Sequence, residues 1–173
     1  MVEHVRYAMG RSSLGDLIAA ASDRGLVAFE FADERTAALE ALHTRLPDAS
    51  LEEDGAGLSE TMATLGEVVD HPERPWQLAL DIRGSDYETR VWNALREVPA
   101  GQTVTYGDIA ARLGTPRAAR EVAEACAANS IAILIPCHRV VKKGGAIAGY
   151  RWGFKRKREL LAREQCAARN LLV

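Results

Sequence analysis

Five consecutive apolar residues, Ile131-Ala132-Ile133-Leu134-Ile135, run into Pro136 and stop at Cys137-His138-Arg139. No polar side chain interrupts the run, so no face of it can be given to water. It must lie inside the protein, as a core strand or an extended core segment. Pro136 ends any regular hydrogen-bonding pattern there, because it lacks an N–H and restricts the residue before it. A buried segment that stops abruptly holds the next residues in a fixed place. Here those residues present a thiol next to an imidazole.

A thiolate is a strong nucleophile and a thiol is not. An imidazole can take the thiol proton, and nearby positive charge stabilises the anion. Adjacent side chains on extended backbone point apart, so a water relay is the natural route between Cys137 and His138. A carboxylate could orient the ring through its other nitrogen, and Glu164 is a candidate. The tripeptide alone also fits a structural cysteine beside a surface histidine, or a fragment of a cysteine protease. It does not choose a substrate.

The other cysteines, Cys126 and Cys166, read as ordinary buried thiols. Three widely spaced cysteines fit neither a disulfide scaffold nor a structural zinc cluster, and they suit a reduced, intracellular setting. The first ten residues, MVEHVRYAMG, contain no apolar stretch of the signal-peptide kind. No apolar run approaches the roughly 20 residues that span a bilayer.

The net charge of -2 conceals an asymmetry. Residues 101 to 165 carry 12 Lys/Arg against 5 Asp/Glu, and the remainder carries 10 against 19. That distribution resembles a polyanion-binding surface joined to an acidic module. Along the first half, residues 4 to 31 predict short antiparallel strands, with LVAFEF at 26 to 31 alternating in part. Helices are expected over 34 to 46 and 58 to 70, separated by an acidic loop, with a short strand at Leu78 to Ile82. In the second half, Ser85 with Glu88 and Thr105 with Asp108 form capping-box patterns. Thr115-Pro116 predicts the start of a helix running to about Ala128, with Thr115 as cap and Pro116 at the first helical position. On that helix Arg117 faces Glu121, and Arg120 faces Glu124. Helix, glycine turn and helix make a helix-turn-helix pattern, which any tight helical hairpin can share. Lys155 to Arg163 predicts a basic helix with Phe154, Leu160 and Leu161 as anchors.

Three passages, VPAGQTVTYGDIAARLG, AANSIAILIPCHRVV and AGYRWGFKRKRELLARE, resemble the methylated-DNA–protein-cysteine methyltransferases, or O6-alkylguanine-DNA alkyltransferases. The IPCHRVV motif followed by GY and LLxxE is specific, and the first half resembles the family more loosely. The resemblance implies that Cys137 is the alkyl acceptor, that His138 activates it through water, and that Glu164 orients His138. It implies that Tyr106 contacts DNA and assists departure of the base, that Arg120 enters the duplex, and that Asn129 locks the turn before the active segment. Cys126, Val140, Tyr150 and Arg151 fall at guanine-pocket positions, Val140 and Arg151 through their main chains. Basic residues around 139 to 158 would contact phosphates.

The expected architecture is an N-terminal α/β support domain over 1–80, then a mainly helical, winged-helix-like DNA-binding catalytic domain over 81–173. The implied partner is double-stranded DNA containing an alkylated base. No metal or cofactor is needed, the chain is expected to act as a monomer, and its setting is cytoplasmic or nucleoid-associated. O4-alkylthymine is a second possible substrate. A lesion sensor without transfer and a thiol hydrolase are the alternatives. Glu121 and Glu124 on the DNA-reading helix, and Ser130 where some relatives have proline, depart from the pattern.

Overall fold

The computed structural model describes residues 1–171. The chain divides into two compact units, Met1–Asp70 with Pro75–Ile82, and His71–Arg74 with Arg83 onward. It is a mixed α/β protein.

The first unit holds a four-stranded sheet in the order β3-β2-β1-β4. Strands β1 (Glu3–Ser12), β2 (Gly15–Ala21) and β3 (Leu26–Phe31) run antiparallel in sequence, as expected for residues 4 to 31, although β3 is buried at every position rather than alternating. Helix α1 (Arg35–Arg45) then crosses over and delivers β4 (Ala49–Glu53) parallel to β1. Val5, Ile18, Ala20, Ala28 and Leu42 bury together in one core. Gly10 lies on the opposite face of β1 from Val5, where an added Cβ would stand 2.7 Å from Met62 of helix α2 (Ser59–Asp70). The segment expected as a strand at 78 to 82 forms only an isolated bridge, Leu26 to Leu80. Strand β4 falls in the acidic stretch expected as loop. Its side chains are mostly exposed, so no apolar alternation announces it.

The second unit is mainly helical. Helix α3 (Asp86–Arg96) begins with the expected Ser85–Glu88 capping box and buries Val91, Trp92, Ala94 and Leu95. The Trp92 indole N–H donates to the Ala125 carbonyl at 2.8 Å, tying α3 to helix α5 (Ala119–Ala127). Between them lies α4 (Tyr106–Arg112), capped by Thr105 and Asp108. Gly114, at φ 75, turns the chain toward α5. Helix α5 starts later than expected. The Thr115 hydroxyl does not cap it: that oxygen donates to the Ala110 carbonyl and bonds the Tyr87 hydroxyl. Residues 116 to 118 form a turn, so Arg117 precedes the helix.

The apolar run is buried at all five positions, as its composition demands, but it is not a strand. It folds into successive turns, with Ile135 N–H donating to Ile131 O and Cys137 N–H to Ile135 O. Ile133 carries φ 67, a left-handed conformation that costs a β-branched residue about 1–2 kcal/mol. Apolarity fixed burial here without fixing backbone shape. A short 3-10 turn, Cys137–Arg139, comes next and leads into β6 (Val140–Val141). Strand β6 pairs in parallel with β5 (Val104–Thr105). Helix α6 (Phe154–Leu171) completes the unit.

Candidate active site

Asn129, just beyond the end of α5, is fully buried and organises the turns that lead to the thiol. Its Oδ1 accepts from Ile131 N–H at 2.9 Å. Its Nδ2 donates to Ile135 O at 3.0 Å and to Cys137 Sγ at 3.3 Å. One amide therefore closes the turn and places a donor on the sulfur. Burial pushes the Cys137 thiol well above its ordinary pKa, and a hydrogen bond that this thiol donates to the neighbouring Cys126 sulfur adds to this. The Asn129 donor and the charge of Lys157 act the other way. The sulfur rests as a thiol that its surroundings are equipped to ionise.

The next residue carries an imidazole. His138 is fully buried, and its Nε2 lies 2.6 Å from Glu164 Oε1. Burial lowers the imidazole's proton affinity below the ordinary value, and Glu164 does not offset it fully. Burial alone would raise the Glu164 carboxyl, but hydrogen bonds and charge from His138 and Arg139 hold it below its usual range. The pair is thus a neutral imidazole donating Nε2–H to a carboxylate. That tautomer leaves Nδ1 as a lone-pair acceptor. Nδ1 is buried and has no hydrogen-bond partner. The carboxylate also accepts from Arg139 Nε and Nη2, while Arg139 Nη1 donates to Val98 O at 2.6 Å.

Cys137 opens onto a cavity of about 340 Å³ lined by Tyr106, Ala123, Cys126, Ala127, Gly149, Tyr150 and Arg151. The alanines leave space on the α5 wall, and the two tyrosines supply aromatic faces. Burial raises the Tyr106 phenol, and it raises the Tyr150 phenol further. Both remain neutral donors at ordinary pH. The Tyr150 ring packs edge-on against Trp152 at 5.2 Å.

This geometry has solved counterparts. The crystal structure of Mycobacterium tuberculosis O6-methylguanine methyltransferase aligns over 94% of this chain and 93% of that one, at 34% identity and TM-score 0.76. The chain belongs to the O6-methylguanine methyltransferase family. Residues 86–166 match the family described as 6-O-methylguanine DNA methyltransferase, DNA binding domain. The crystal structure of Mycobacterium tuberculosis OGT in complex with DNA covers 93% of both chains at TM-score 0.77 and 34% identity. The bifunctional transcriptional activator/DNA repair enzyme Ada of Escherichia coli is 41% identical over 160 residues, 92% of this chain and 45% of its own length. The chain spans about half the length of the curated relatives it matches.

Within this family member, the fold brings Cys137, Tyr106, Cys126, Tyr150 and Arg151 to one cavity. His138, Glu164 and Asn129 stand behind it in the buried hydrogen-bond network. Val140 is buried in β6, its register set against Val104. Arg120 lies apart from the cavity lining, on α5, with a side chain 90% exposed and 3.6 Å from Glu124.

Four sequence expectations need correction. Cys166 is exposed, on the outer side of α6. Phe154, expected as an anchor, is also exposed, with the Arg158 guanidinium stacked on its ring at 4.3 Å. Arg139 and Lys157, counted among phosphate-contacting residues, are buried inside the protein. The Arg151 side chain is not incidental, since its Nη1 donates to Asn129 O at 2.8 Å. The sequence carried a usable signal for Lys157. Lys157, Leu160 and Glu164 recur at helical spacing, and all three are buried on one side of α6.

Proposed function

We propose that this chain repairs DNA by moving an alkyl group from O6 of guanine onto the Cys137 sulfur, with O4 of thymine as a second candidate donor. The observation that carries the reading is a thiol facing a base-sized cavity, backed by a neutral, carboxylate-oriented imidazole with an open nitrogen. One solved relative, Mycobacterium tuberculosis OGT, is in complex with DNA.

A base stacked in a duplex cannot reach Cys137, so the damaged nucleotide must swing out into the cavity. Tyr106 and Tyr150 bracket it. The Cys137 proton passes through a water to His138 Nδ1, and the imidazolium is held by Glu164. The sulfur attacks the alkyl carbon, the carbon–oxygen bond breaks, and its electrons return to the purine. The Tyr106 hydroxyl donates to the base as this charge develops, and the net proton ends on the guanine. The product is a thioether without a hydrolytic exit, so each molecule acts once.

In this reading α4, the Gly114 turn and α5 form the DNA-contacting part of a winged-helix-like catalytic domain, residues 81–173. Arg120 leaves Glu124 to fill the gap in the duplex. Residues 1–80 act as a support domain.

The test is direct. Equimolar protein is incubated with duplex DNA containing O6-methylguanine, and peptides are mapped by mass. A methyl group confined to the Cys137 peptide, absent in Cys137→Ala, supports the proposal. Repeated turnover by substoichiometric protein, or repaired DNA with unmodified sulfur, refutes it.

A further inference from the structure

The cavity wall carries a second thiol. Cys126 is the penultimate residue of α5, and its side chain lines the cavity onto which Cys137 opens. Asn129 bonds to both residues. Its N–H donates to Cys126 O at 3.2 Å, and its Nδ2 donates to Cys137 Sγ at 3.3 Å. The thiols also meet directly, the Cys137 S–H donating to the Cys126 sulfur. A cavity of about 340 Å³ lies in front of them, with room for small solutes. Cys166 is exposed on α6, away from that lining. The reaction proposed above needs one sulfur and gives Cys126 no chemical part.

We propose that Cys126 is a resolving thiol for Cys137: a hydroperoxide converts the pair to a Cys126–Cys137 disulfide, which a thiol reductant reopens. The inference rests on Cys137 as the nucleophile of the reaction above but not on DNA as the alkyl source.

One hydrogen peroxide balances the chemistry. The Cys137 sulfur, having lost its proton, attacks a peroxide oxygen. The oxygen–oxygen bond breaks, and one water leaves carrying that proton. Cys137 is then a sulfenic acid. The Cys126 sulfur attacks the Cys137 sulfur, the sulfur–oxygen bond breaks, and a second water leaves with the Cys126 proton. Two thiols have been oxidised to one disulfide, and the peroxide has been reduced to two waters. A disulfide bond is about 2 Å long, so sulfurs already in hydrogen-bond contact have about 2 Å or less left to close.

A sulfenic acid without a thiol partner goes on to sulfinic and sulfonic acids, which thiols do not reverse. For a nucleophile that reacts once, this oxidation is as final as alkylation. Cys126 halts the sequence at its reversible stage. While the disulfide stands neither sulfur can attack carbon, and exchange with a thiol reductant returns both.

The test uses the full chain, hydrogen peroxide and peptide mass, without DNA. Both cysteines fall on one tryptic peptide, Glu121–Arg139. The expected product is that peptide lighter by two hydrogens and closed to iodoacetamide at both cysteines. Dithiothreitol should restore labelling at both. In Cys126→Ala the same treatment should add oxygen to Cys137, and the fraction recovered by dithiothreitol should fall about tenfold. A parent peptide that gains oxygen, stays unmodified, or links to Cys166 or to another chain overturns the inference. So does a variant protected as well as the parent. The parent reading stands by itself if the variant does not fold. A chain that forms the bridge yet takes no methyl from O6-methylguanine DNA would count against the proposed repair reaction alone.

Discussion

Replacing Glu164 with glutamine tests the buried network through stability. The carboxylate accepts from His138 at 2.6 Å and from Arg139 at 2.9 and 3.1 Å, and it is 1% exposed. Glu164→Gln keeps the shape but removes the charge, and its amide N–H₂ meets the Arg139 guanidinium, donor against donor. Arg139 is then a buried cation held only by Val98 O. Breaking one side of such a pair costs about 3–5 kcal/mol. At roughly 2–4 °C per kcal/mol for a chain of this size, the melting temperature should fall by about 6–20 °C. Circular dichroism at pH 7 measures it. Replacing both partners by apolar residues, Arg139→Met with Glu164→Leu, should recover much of the loss, because no charge is stranded. A Glu164→Gln chain melting within about 2 °C of the parent, or a double variant no more stable than the single, refutes the reasoning.

Asn129→Ala removes three buried hydrogen bonds, leaving Ile131 N–H without its acceptor and Ile135 O with Cys137 N–H alone. It should lower stability by about 2–4 kcal/mol in urea unfolding and slow alkylation of Cys137. Ile133→Gly should cost about 1–2 kcal/mol less than Ile135→Gly, because only the first relieves a positive φ; equal losses would show that Ile133 stores no strain. Acid should destabilise the protein in two stages. His138 has a folded pKa below its ordinary 6.5, so the unfolded chain binds the proton first and stability declines as pH falls below about 6.5. Glu164 is depressed below 4.5, so its contribution is complete above that value and is lost as pH falls through its folded value. Urea midpoints that stay level from pH 7.5 to 5.5 would contradict the first stage.

What could be read from the sequence was local. Both capping boxes form as written, because a serine or threonine and an acid three residues on need nothing from the rest of the chain. The Cys137-His138 pair and Glu164 stood out through motif resemblance, and their juxtaposition needed the fold. The failures share a cause. Strand β4 exists because β1 offers an edge to pair with, which its own polar side chains do not advertise. Thr115 was free to cap a helix until Tyr87 and Ala110 claimed its hydroxyl. Residues 131 to 135 had to be buried, but two turns satisfy that as well as a strand does. Lys157 looked like one more surface base in a basic run, and only its spacing to Leu160 and Glu164 hinted otherwise.

The two-residue pairing of β5 with β6 has a mechanical consequence. Thr105 is at once the last rung of that ladder and the cap of α4, while Val140 comes directly after the Cys137 turn. A push on the front of α4 therefore cannot be absorbed by slack in a loop. It arrives at the sulfur through one short, stiff linkage, so whatever grips Tyr106 also has a handle on the nucleophile.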